Sequence, residues 1–552
     1  MGFKIDEEAC GAQADCRADQ RAALEGTPGF RSPACEEEDF SHVRRVAVIG
    51  AGVAGLQVAN LLHQVGIRCV IFERSAEVGG VWRENYADFG LQVPRQLYQF
   101  PGFPWPADGK WELFPTGAQV QEYIRRYAKE FDIYECCKLE TAVLQVSPKQ
   151  GASARGWSVR YQTEGLAPAV EEFDFLVMAT GMYSSHPHMP VAPGIEVFKG
   201  QILHSCTFTD RKVAAGKRVV VVGGGKSAVD NAVAAAKEGK SAVLLCREAH
   251  WPVPRYLANL VPFQWGTYSR FGHSTLPMHH AEPACSRWLH WLLTPLKWLW
   301  WRIVELLFWC QFRLPREQLP KSRIEVDLFS GGQILTYEFR DMCRRGQIKY
   351  TLGAISRFHE DGVVLKDGSK LEADMVLYGT GYAKTYDIFD KSSVQQLLDL
   401  EEDGLWLYRN MIPAHLRDLA FIGCEVSTFN NILTHGLQAL WLQRLLTGKH
   451  QLPCSMDMQG EVGRDQAWKR SWMPASSARA SIWQLHMMRY HDGLVADMGE
   501  RCKRKGWNVL AEVFAPYCAG DYDDLFGLGA GSDTNEARAV AVTNEAAVKL
   551  LS

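Results

Sequence analysis

The sequence predicts an α/β protein built from two dinucleotide-binding domains of the Rossmann type, with the second domain inserted into the first. Two stretches, 43–73 and 217–247, share one order of elements: a buried strand, a glycine-rich turn, a helix and a second strand. Each is followed far downstream by an apolar strand that ends in a short glycine turn, at 173–181 and 373–381. This nesting predicts that the chain returns to its first domain after the second turn.

Composition supports a packed globular enzyme and excludes several other classes. Of the 552 residues, 47% are hydrophobic and 22% charged, and a chain of this length can bury a large core. The net charge of −3 is too balanced for a protein that binds nucleic acid mainly through charge. The fifteen cysteines include no Cys-x-x-Cys pair, so we expect no metal site and no dithiol centre. Free thiols and the lack of an evident secretory signal predict a cytoplasmic protein.

The first glycine turn, GAGVAG, stands between a strand and a helix. Such a turn allows the backbone to approach a pyrophosphate at the helix N-terminus. A carboxylate at the end of the second strand can accept hydrogen bonds from both ribose hydroxyls and repels a 2′-phosphate, so this unit favours FAD or NAD. A further glycine-aromatic segment, EVGGVW, follows. The candidate contacts are Gly50, Ala51, Gly52, Val53, Ala54, Gly55, Glu73, Arg74, Gly80, Val81 and Trp82.

The second glycine turn, GGGKSA, differs from the first in its charges. Arg247 stands at the strand end where the first unit has Glu73, and a guanidinium there suits a 2′-phosphate, which favours NADPH over NADH. Pairing of Arg247 with the adjacent Glu248 is the alternative. The candidate contacts are Gly223, Gly225, Lys226, Ser227, Ala228 and Arg247.

Between the two units lies the segment FKGQILHSCTF, with Phe198, Gly200, His204 and Phe208. Taken alone, this histidine is typical of a packing or hydrogen-bonding residue. The pattern FxGxxxHxxx(Y/F), however, resembles the signature of flavin-containing monooxygenases, the class B flavoprotein monooxygenases. The resemblance runs from about 43 to about 453 and includes GAGVAG, EVGGVW, MATG, GGGKSAVD and LEADMVLYGTGY. The segments 91–106 and 434–453 are most similar to plant and algal members.

The resemblance implies an enzyme that uses FAD and NADPH. Reduced flavin would react with O₂ at C4a to give a hydroperoxide, which oxygenates the nitrogen or sulfur of a small amine or sulfide. It also implies that Phe198, Gly200 and His204 help to position the nicotinamide cofactor, and Gln438 is counted among the cofactor contacts. Baeyer–Villiger or indolic keto-acid oxygenation and a non-catalytic nucleotide-binding scaffold remain as alternatives.

The amide that contacts the flavin differs from the family pattern. The family has an Asn-containing segment after GGxW, whereas this chain has Leu-Gln-Val-Pro, so Gln92 is the candidate there. Asn430 and Asn431 are further candidates for donating a hydrogen bond to the reacting oxygen. For each of the three, an amide that only stabilises its loop is the competing interpretation.

The predicted organisation has five parts: a disordered tail at 1–42, the first part of the FAD-binding domain at 43–182, the NADPH-binding domain at 183–378, the second part of the FAD-binding domain at 379–450, and a helical extension at 451–552. Six of the eighteen tryptophans fall within an insert at 286–313. Charged residues interrupt this insert, which argues against a membrane-spanning helix. Two interpretations stay open: a helix in the membrane interface, so that the protein is peripheral on a membrane, or a pair of amphipathic helices packed over the active site or between domains.

Overall fold

The computed structural model describes residues 39–150, 155–183, 186–258, 260–330, 337–390 and 394–527. Most of the predicted N-terminal tail and the end of the C-terminal extension lie outside these residues. Helices and strands alternate through most of the described chain. The α-helices are α1 Val53–His63, α2 Gly117–Glu130, α3 Lys226–Glu238, α4 Gln264–Thr267, α5 Arg270–Ser274, α6 Ala284–Phe312, α7 Ile324–Ser330, α8 Tyr337–Arg344, α9 Asn431–Leu446, α10 Ser455–Trp472, α11 Met487–Asp497 and α12 Val509–Phe514.

The strands form two five-stranded sheets and several smaller ones. They are β1 Arg45–Ile49, β2 Arg68–Phe72, β3 Cys137–Lys138, β4 Thr141–Pro148, β5 Trp157–Thr163, β6 Ala169–Phe173, β7 Phe175–Met178, β8 His186–Pro187, β9 Gln201–His204, β10 Arg218–Val222, β11 Ser241–Cys246, β12 Tyr256–Leu257, β13 Val261–Pro262, β14 Ile348–Leu352, β15 Ile355–His359, β16 Gly362–Leu365, β17 Lys370–Glu372, β18 Met375–Tyr378, β19 Tyr382–Ala383, β20 Leu400–Glu401, β21 Gly404–Leu405, β22 Leu419–Phe421, β23 Ser427–Thr428 and β24 Ile482–Gln484.

The first large sheet has the strand order β22-β7-β1-β2-β3, and all of its pairings are parallel. Its strands are apolar runs because helices cover both faces of a parallel sheet. Helix α1 is buried over nearly its whole length and packs against α9. The strand β22 comes from beyond residue 381, so the chain does return to the first domain as the sequence predicts.

The second large sheet repeats this arrangement in the order β14-β11-β10-β18-β9, again with parallel pairing. Its strand β18 lies beside β10 as β7 lies beside β1 in the first sheet. The predicted α/β fold with two dinucleotide-binding units is therefore confirmed. Because the carboxyl ends of parallel strands meet at one edge, the glycine turns of each unit lie at such an edge.

Both ends of the described chain pack more closely than the sequence suggests. Phe40, which the sequence assigns to the tail, is buried, and the centroid of its ring lies 6.0 Å from that of Phe175. The segment assigned to a C-terminal extension also enters the core of the first domain. Leu494 and Val495 of α11 and Tyr522 beyond α12 are buried in that core. Helices α10 to α12 therefore complete the first domain and are not an appendage.

The tryptophan-rich insert forms one continuous helix, α6, which contains Pro295. The expectation of a helix pair is wrong. At about 1.5 Å per residue, its 29 residues extend about 43 Å. Its C-terminal half packs on the protein through Trp301, Phe308 and Phe312, whereas its N-terminal half is mostly exposed. Among the described residues, no helix has the length and apolarity that a membrane span needs.

Candidate active site

The first glycine loop leaves room for a phosphate at the start of α1. Gly50 has φ 110°, and a Cβ there would lie 2.6 Å from the carbonyl oxygen of Ala179. Gly52 is the N-cap of α1 and makes no side-chain capping bond. A Cβ on Gly52 would meet only the Cα of Gly80, at 3.8 Å. The helix N-terminus is therefore open, and its free N–H groups are suited to a pyrophosphate.

Glu73 lies at the carboxyl end of β2, next to this loop. Its carboxylate accepts hydrogen bonds from the backbone N–H of Ala51 at 2.8 Å and from that of Ser75 at 2.9 Å. It therefore holds the glycine loop in place, and the lone pairs that remain can accept the hydroxyls of a ribose. Arg74 follows on the exposed side.

The EVGGVW segment packs directly against the glycine loop. The backbone N–H of Gly79 donates to the carbonyl of Ala51 at 2.9 Å. Gly80 and Val81 begin a short 3₁₀ turn, and the indole N–H of Trp82 donates to the hydroxyl of Tyr98 at 2.8 Å. This arrangement places an aromatic wall beside the open end of α1.

The second glycine loop has the same design at the start of α3. Gly223 has φ 143°, and Gly225 is the N-cap, again without a side-chain capping bond. No atom lies within 4 Å of the position that a Cβ on Gly225 would take. Ser227 and Ala228 belong to the first turn of α3. Ala228 packs against Gly379, since a Cβ on Gly379 would lie 2.7 Å from the Cα of Ala228. Both loops thus fit the phosphates of a dinucleotide.

The two basic residues of the second unit have different surroundings. Arg247 is exposed just after β11 and forms no ion pair with Glu248 or with any other residue that the structure describes. It is free to bind a 2′-phosphate. Lys226, in contrast, forms an ion pair with Asp230 and donates to the hydroxyl of Tyr86 at 2.8 Å. The Lys226 ammonium group therefore links the two units. To contact a phosphate as predicted, it would have to break its bonds to Asp230 and Tyr86.

Phe198 and Gly200 lie away from the second glycine loop. Strand β9 runs parallel to β18, with Gln201 opposite Met375 and His204 opposite Tyr378. Phe198 and Gly200 therefore lie at the amino end of the strand, at the edge opposite the glycine loop. Gly200 is needed for packing, since a Cβ there would lie 2.3 Å from the Phe198 ring. The part predicted for Phe198 and Gly200 in positioning the nicotinamide cofactor stays a prediction.

His204 lies at the other end of β9, on the cofactor edge. It is buried, and its Nε2 is 3.0 Å from the carbonyl oxygen of Gly381. Its Nδ1 accepts from the backbone N–H of Cys206, so Nε2 carries the proton and donates to Gly381. Burial lowers the pKa of His204, which keeps the ring neutral. The histidine thus fixes the GTG turn that follows β18.

The four candidate amides have unequal surroundings. Gln438 is fully buried, accepts from the backbone N–H of Gly423 at 2.9 Å and donates to the hydroxyl of Tyr490 at 2.7 Å. Both ends of its amide form hydrogen bonds within the protein, and its assignment as a cofactor contact stays a prediction. Asn431 accepts from the backbone N–H of Thr428 at 2.9 Å and stabilises its own loop.

Gln92 and Asn430 differ from these two. The Gln92 Oε1 and the Asn430 Nδ2 are buried polar atoms without a hydrogen-bond partner. Such atoms are costly to bury unless a ligand completes their hydrogen bonds. Asn430 also caps α9, because its Oδ1 accepts from the backbone N–H of Leu433 at 3.4 Å. Its Nδ2 remains as a free donor.

A small cleft, partly open to solvent, lies beside Gln92. Its walls come from the loop after EVGGVW, from the segment before α4 and from the residue that precedes Asn430. Most of the lining is apolar, and the polar groups are few. The lining residues are Gln92, Val93, Pro94, Leu97, Phe114, Val253, Pro254, Arg255, Phe263, Gln264, Tyr268 and Phe429. An apolar cleft with a few convergent polar groups is typical of a small-molecule site.

Sequence reasoning missed several residues of this site. Tyr86 and Arg255 belong to no motif, and they approach Asp230, the last residue of GGGKSAVD, only because the inserted unit folds back onto the first. The hydroxyl of Tyr86 donates to Asp230 at 3.0 Å across the two units. A weak signal existed for the arginine, since Trp-Pro-Val-Pro-Arg is an aromatic and basic segment soon after β11.

Fold and site together define a flavoprotein with two dinucleotide-binding units. A family model described as flavin-binding monooxygenase-like matches residues 43–291 and 329–505. The chain belongs to this family, as the sequence predicts. The match continues past 453 to 505, so the expected end of the resemblance is wrong, and it omits 292–328, which includes most of α6.

Named relatives agree with this assignment. The chain is 31% identical to probable flavin-containing monooxygenase 1 of Arabidopsis thaliana, over 87% of this chain and 96% of that protein. It is 27% identical to dimethylaniline monooxygenase (N-oxide-forming) 2 of Rattus norvegicus, over 83% of each.

Solved structures share the fold at lower identity. S-allyl-L-cysteine S-oxygenase from Allium sativum superposes with a TM-score of 0.58 at 20% identity, covering 84% of this chain and 90% of that one. OTEMO in complex with FAD and NADP superposes with a TM-score of 0.57 at 21% identity, covering 80% and 89%.

Proposed function

We propose that this protein is an FAD- and NADPH-dependent monooxygenase that oxygenates an amine nitrogen or a sulfide sulfur of a small molecule. The observation that carries the proposal is the pair of open glycine N-caps, Gly52 and Gly225, in a member of the flavin-binding monooxygenase-like family. Two relatives are named for N-oxide formation and S-oxygenation. One atom of O₂ enters the substrate, the other leaves as water, and NADPH supplies two electrons.

The bound cofactors supply hydride transfer and oxygen activation, so the protein needs no nucleophile of its own. Its residues bind and orient the cofactors and the substrate, and they shield the reacting atoms from water. The N-terminus of α1, with Glu73, holds FAD, and that of α3, with Arg247, holds NADPH. The apolar walls of the cleft, including Phe263 and Phe429, exclude water from the reacting atoms.

Asn430 is the donor that we assign to the reacting oxygen. Its Nδ2 is buried and without a partner, and it follows Phe429 of the cleft wall directly. Gln92 itself lines the cleft and is the second candidate. A correctly placed donor favours oxygen transfer over loss of peroxide, because the transition state develops negative charge on oxygen.

The test is the coupling of NADPH use to product. Asn430→Ser retains a capping oxygen for α9 but removes the long amide donor. We expect it to release more H₂O₂ per NADPH and to lower product formation by about 100-fold, the effect of removing one such donor. The matched control is Asn431→Ser. Unchanged coupling in Asn430→Ser with lost coupling in Gln92→Ala would transfer the role to Gln92, and unchanged coupling in both would remove the assignment.

We also propose that α6 rests on a membrane surface. Trp288 and Trp291 are 72% and 70% exposed, and Leu289, Leu292, Leu296 and Trp298 add to one large apolar face. Tryptophan with interspersed basic residues is typical of helices in the membrane interface. An apolar face of this size is costly in water unless it is covered.

A second apolar patch continues this face. Trp507, Val509 and Leu510 are strongly exposed at the start of α12. Phe271 lies between the two patches. The centroid of its ring is 5.3 Å from that of Trp300 in α6 and 5.4 Å from that of Phe514 in α12. Arg501 and Lys503 lie just before this patch and are exposed. Their positive charge is complementary to anionic lipid, which is the occupant that we assign.

Liposome flotation tests this docking. We expect the protein to float with vesicles of phosphatidylcholine and phosphatidylserine, and to float less with phosphatidylcholine alone. The double variant Trp288→Ser, Trp291→Ser should lose flotation, whereas Leu166→Ser, at an exposed position in the turn between β5 and β6, should keep it. No flotation of the unaltered protein with either vesicle would remove the proposal. Self-association through the same face, seen by light scattering, would replace lipid with a second copy as the occupant.

A further inference from the structure

The cleft beside Gln92 contains one charged group. Of the described residues that line it, only Arg255 is charged, and no carboxylate faces it. The guanidinium lies over the ring of Phe114, with its central carbon 4.0 Å from the ring centroid. Its Nε is buried without an acceptor. Burial in these apolar surroundings lowers the pKa of Arg255.

The nearest acidic group does not balance this charge. Asp230 attracts Arg255 but forms no hydrogen bond with it; its carboxylate is bound by the ammonium of Lys226 and the hydroxyl of Tyr86. A guanidinium that is partly stripped of water and unpaired is costly for the protein. The cost falls when an anion enters the cleft, because a planar guanidinium binds a carboxylate through two parallel hydrogen bonds.

We propose that Arg255 binds a carboxylate of the substrate, so that the protein oxygenates amines or sulfides that also carry a carboxylate. This inference rests on the proposed function. In the cleft, the carboxylate is bound by Arg255 and the nitrogen or sulfur is directed toward Gln92 and Asn430. The apolar walls receive the remaining carbon chain. Arg255 therefore acts as a specificity-determining residue.

A phosphate of NADPH is the other anion to consider. None of the residues of the second glycine loop lines the cleft, and neither does Arg247. The cleft lies between the two units: Gln92 and Phe429 belong to the flavin-binding unit, and the lining residues from Val253 to Tyr268 belong to the inserted unit but lie outside its glycine loop. This placement favours the substrate over the cofactor as the source of the anion.

The experiment compares two sulfides, one with a free carboxylate and one in which that group is a neutral ester: 3-(methylthio)propanoate and its methyl ester. For the protein reconstituted with FAD, we expect a lower KM and tighter calorimetric binding for the acid. In Arg255→Gln, the preference for the acid over the ester should fall by about 10- to 100-fold, the effect of losing charge-assisted hydrogen bonds. Arg255→Lys should restore part of it. Arg160→Gln, at an exposed position of β5, is the control and should leave the preference unchanged.

Two results would overturn the inference. One is an unaltered protein that binds the acid no better than the ester. The other is an Arg255→Gln variant whose acid preference is retained while its KM for NADPH rises, which would assign the residue to a cofactor phosphate. Failure of the proposed function is seen separately, as a protein that binds the acid through Arg255 in calorimetry yet oxygenates neither compound.

Discussion

Replacing Gly225 with alanine tests whether the second glycine loop binds NADPH. The change fits the folded protein, because φ is −90° and no atom lies within 4 Å of the new Cβ. Alanine is a poorer N-cap than glycine, so the free energy of unfolding should fall by less than about 1 kcal/mol. The methyl group would, however, occupy the space that a phosphate must enter. Losing one charge-assisted hydrogen bond costs about 1.5–3 kcal/mol, which raises the Kd for NADPH about 10- to 150-fold.

The assay measures three quantities on one preparation: thermal unfolding without ligands, bound FAD from its absorbance, and the NADPH dependence of flavin reduction by stopped flow. Gly225→Ala should change only the last. Gly52→Ala is the reciprocal variant, since its φ is −78° and its nearest atom is the Cα of Gly80 at 3.8 Å. It should lose FAD and keep its unfolding temperature. A normal NADPH dependence in Gly225→Ala would refute the assignment of this loop.

Three further predictions follow from other parts of the molecule. Arg247→Gln should raise the KM for NADPH about tenfold or more, as expected for loss of a charge-assisted contact, and leave the KM for NADH unchanged; equal effects on both would exclude a 2′-phosphate contact. Gly200→Ala should lower the free energy of unfolding by about 1–3 kcal/mol, because the Cβ of the alanine would overlap the Phe198 ring. The variant protein that remains folded should reduce its flavin with an unchanged KM for NADPH. Arg470 lowers the pKa of Asp403 to about 2, so Asp403→Asn should cost about 2 kcal/mol in urea unfolding at pH 7. The difference should shrink as the pH falls from about 4 toward 2, because the carboxyl group of the unfolded chain is protonated in that range while the native carboxylate is still ionised.

The sequence predicts the cofactor loops well because their chemistry is local. A glycine turn between a strand and a helix determines an open helix N-terminus within a few residues. Glu73 and Arg247 follow from the same spacing, since each ends the second strand of its unit. The domain order follows from the nesting of two such patterns, which needs no knowledge of side-chain contacts.

The surroundings of several candidate residues could not be predicted from the sequence, because they depend on strand direction and on partners far along the chain. Phe198 and His204 belong to one short motif, yet the direction of β9 places them at opposite edges of a sheet. Gln438 lies in a segment that resembles the family, but Tyr490, far along the chain, binds its amide. Arg255 becomes a candidate binding residue only in the folded protein, where it lies in the same cleft as Gln92 and no carboxylate lines that cleft.

The surface of α6 shows the same limit. Its composition leaves a membrane-interface helix and a packed helix pair as alternatives, and it does not reveal that Trp507 and Leu510 continue the same face. That continuity depends on contacts through Phe271, which follow from tertiary packing.

The most direct test of the central claim measures NADPH oxidation, NADH oxidation and H₂O₂ release in air, using purified protein supplied with FAD and a panel of small amines and thioethers. The account predicts a yellow protein that uses NADPH faster than NADH and releases less peroxide when a substrate is oxygenated. A colourless protein that takes up no FAD would contradict it.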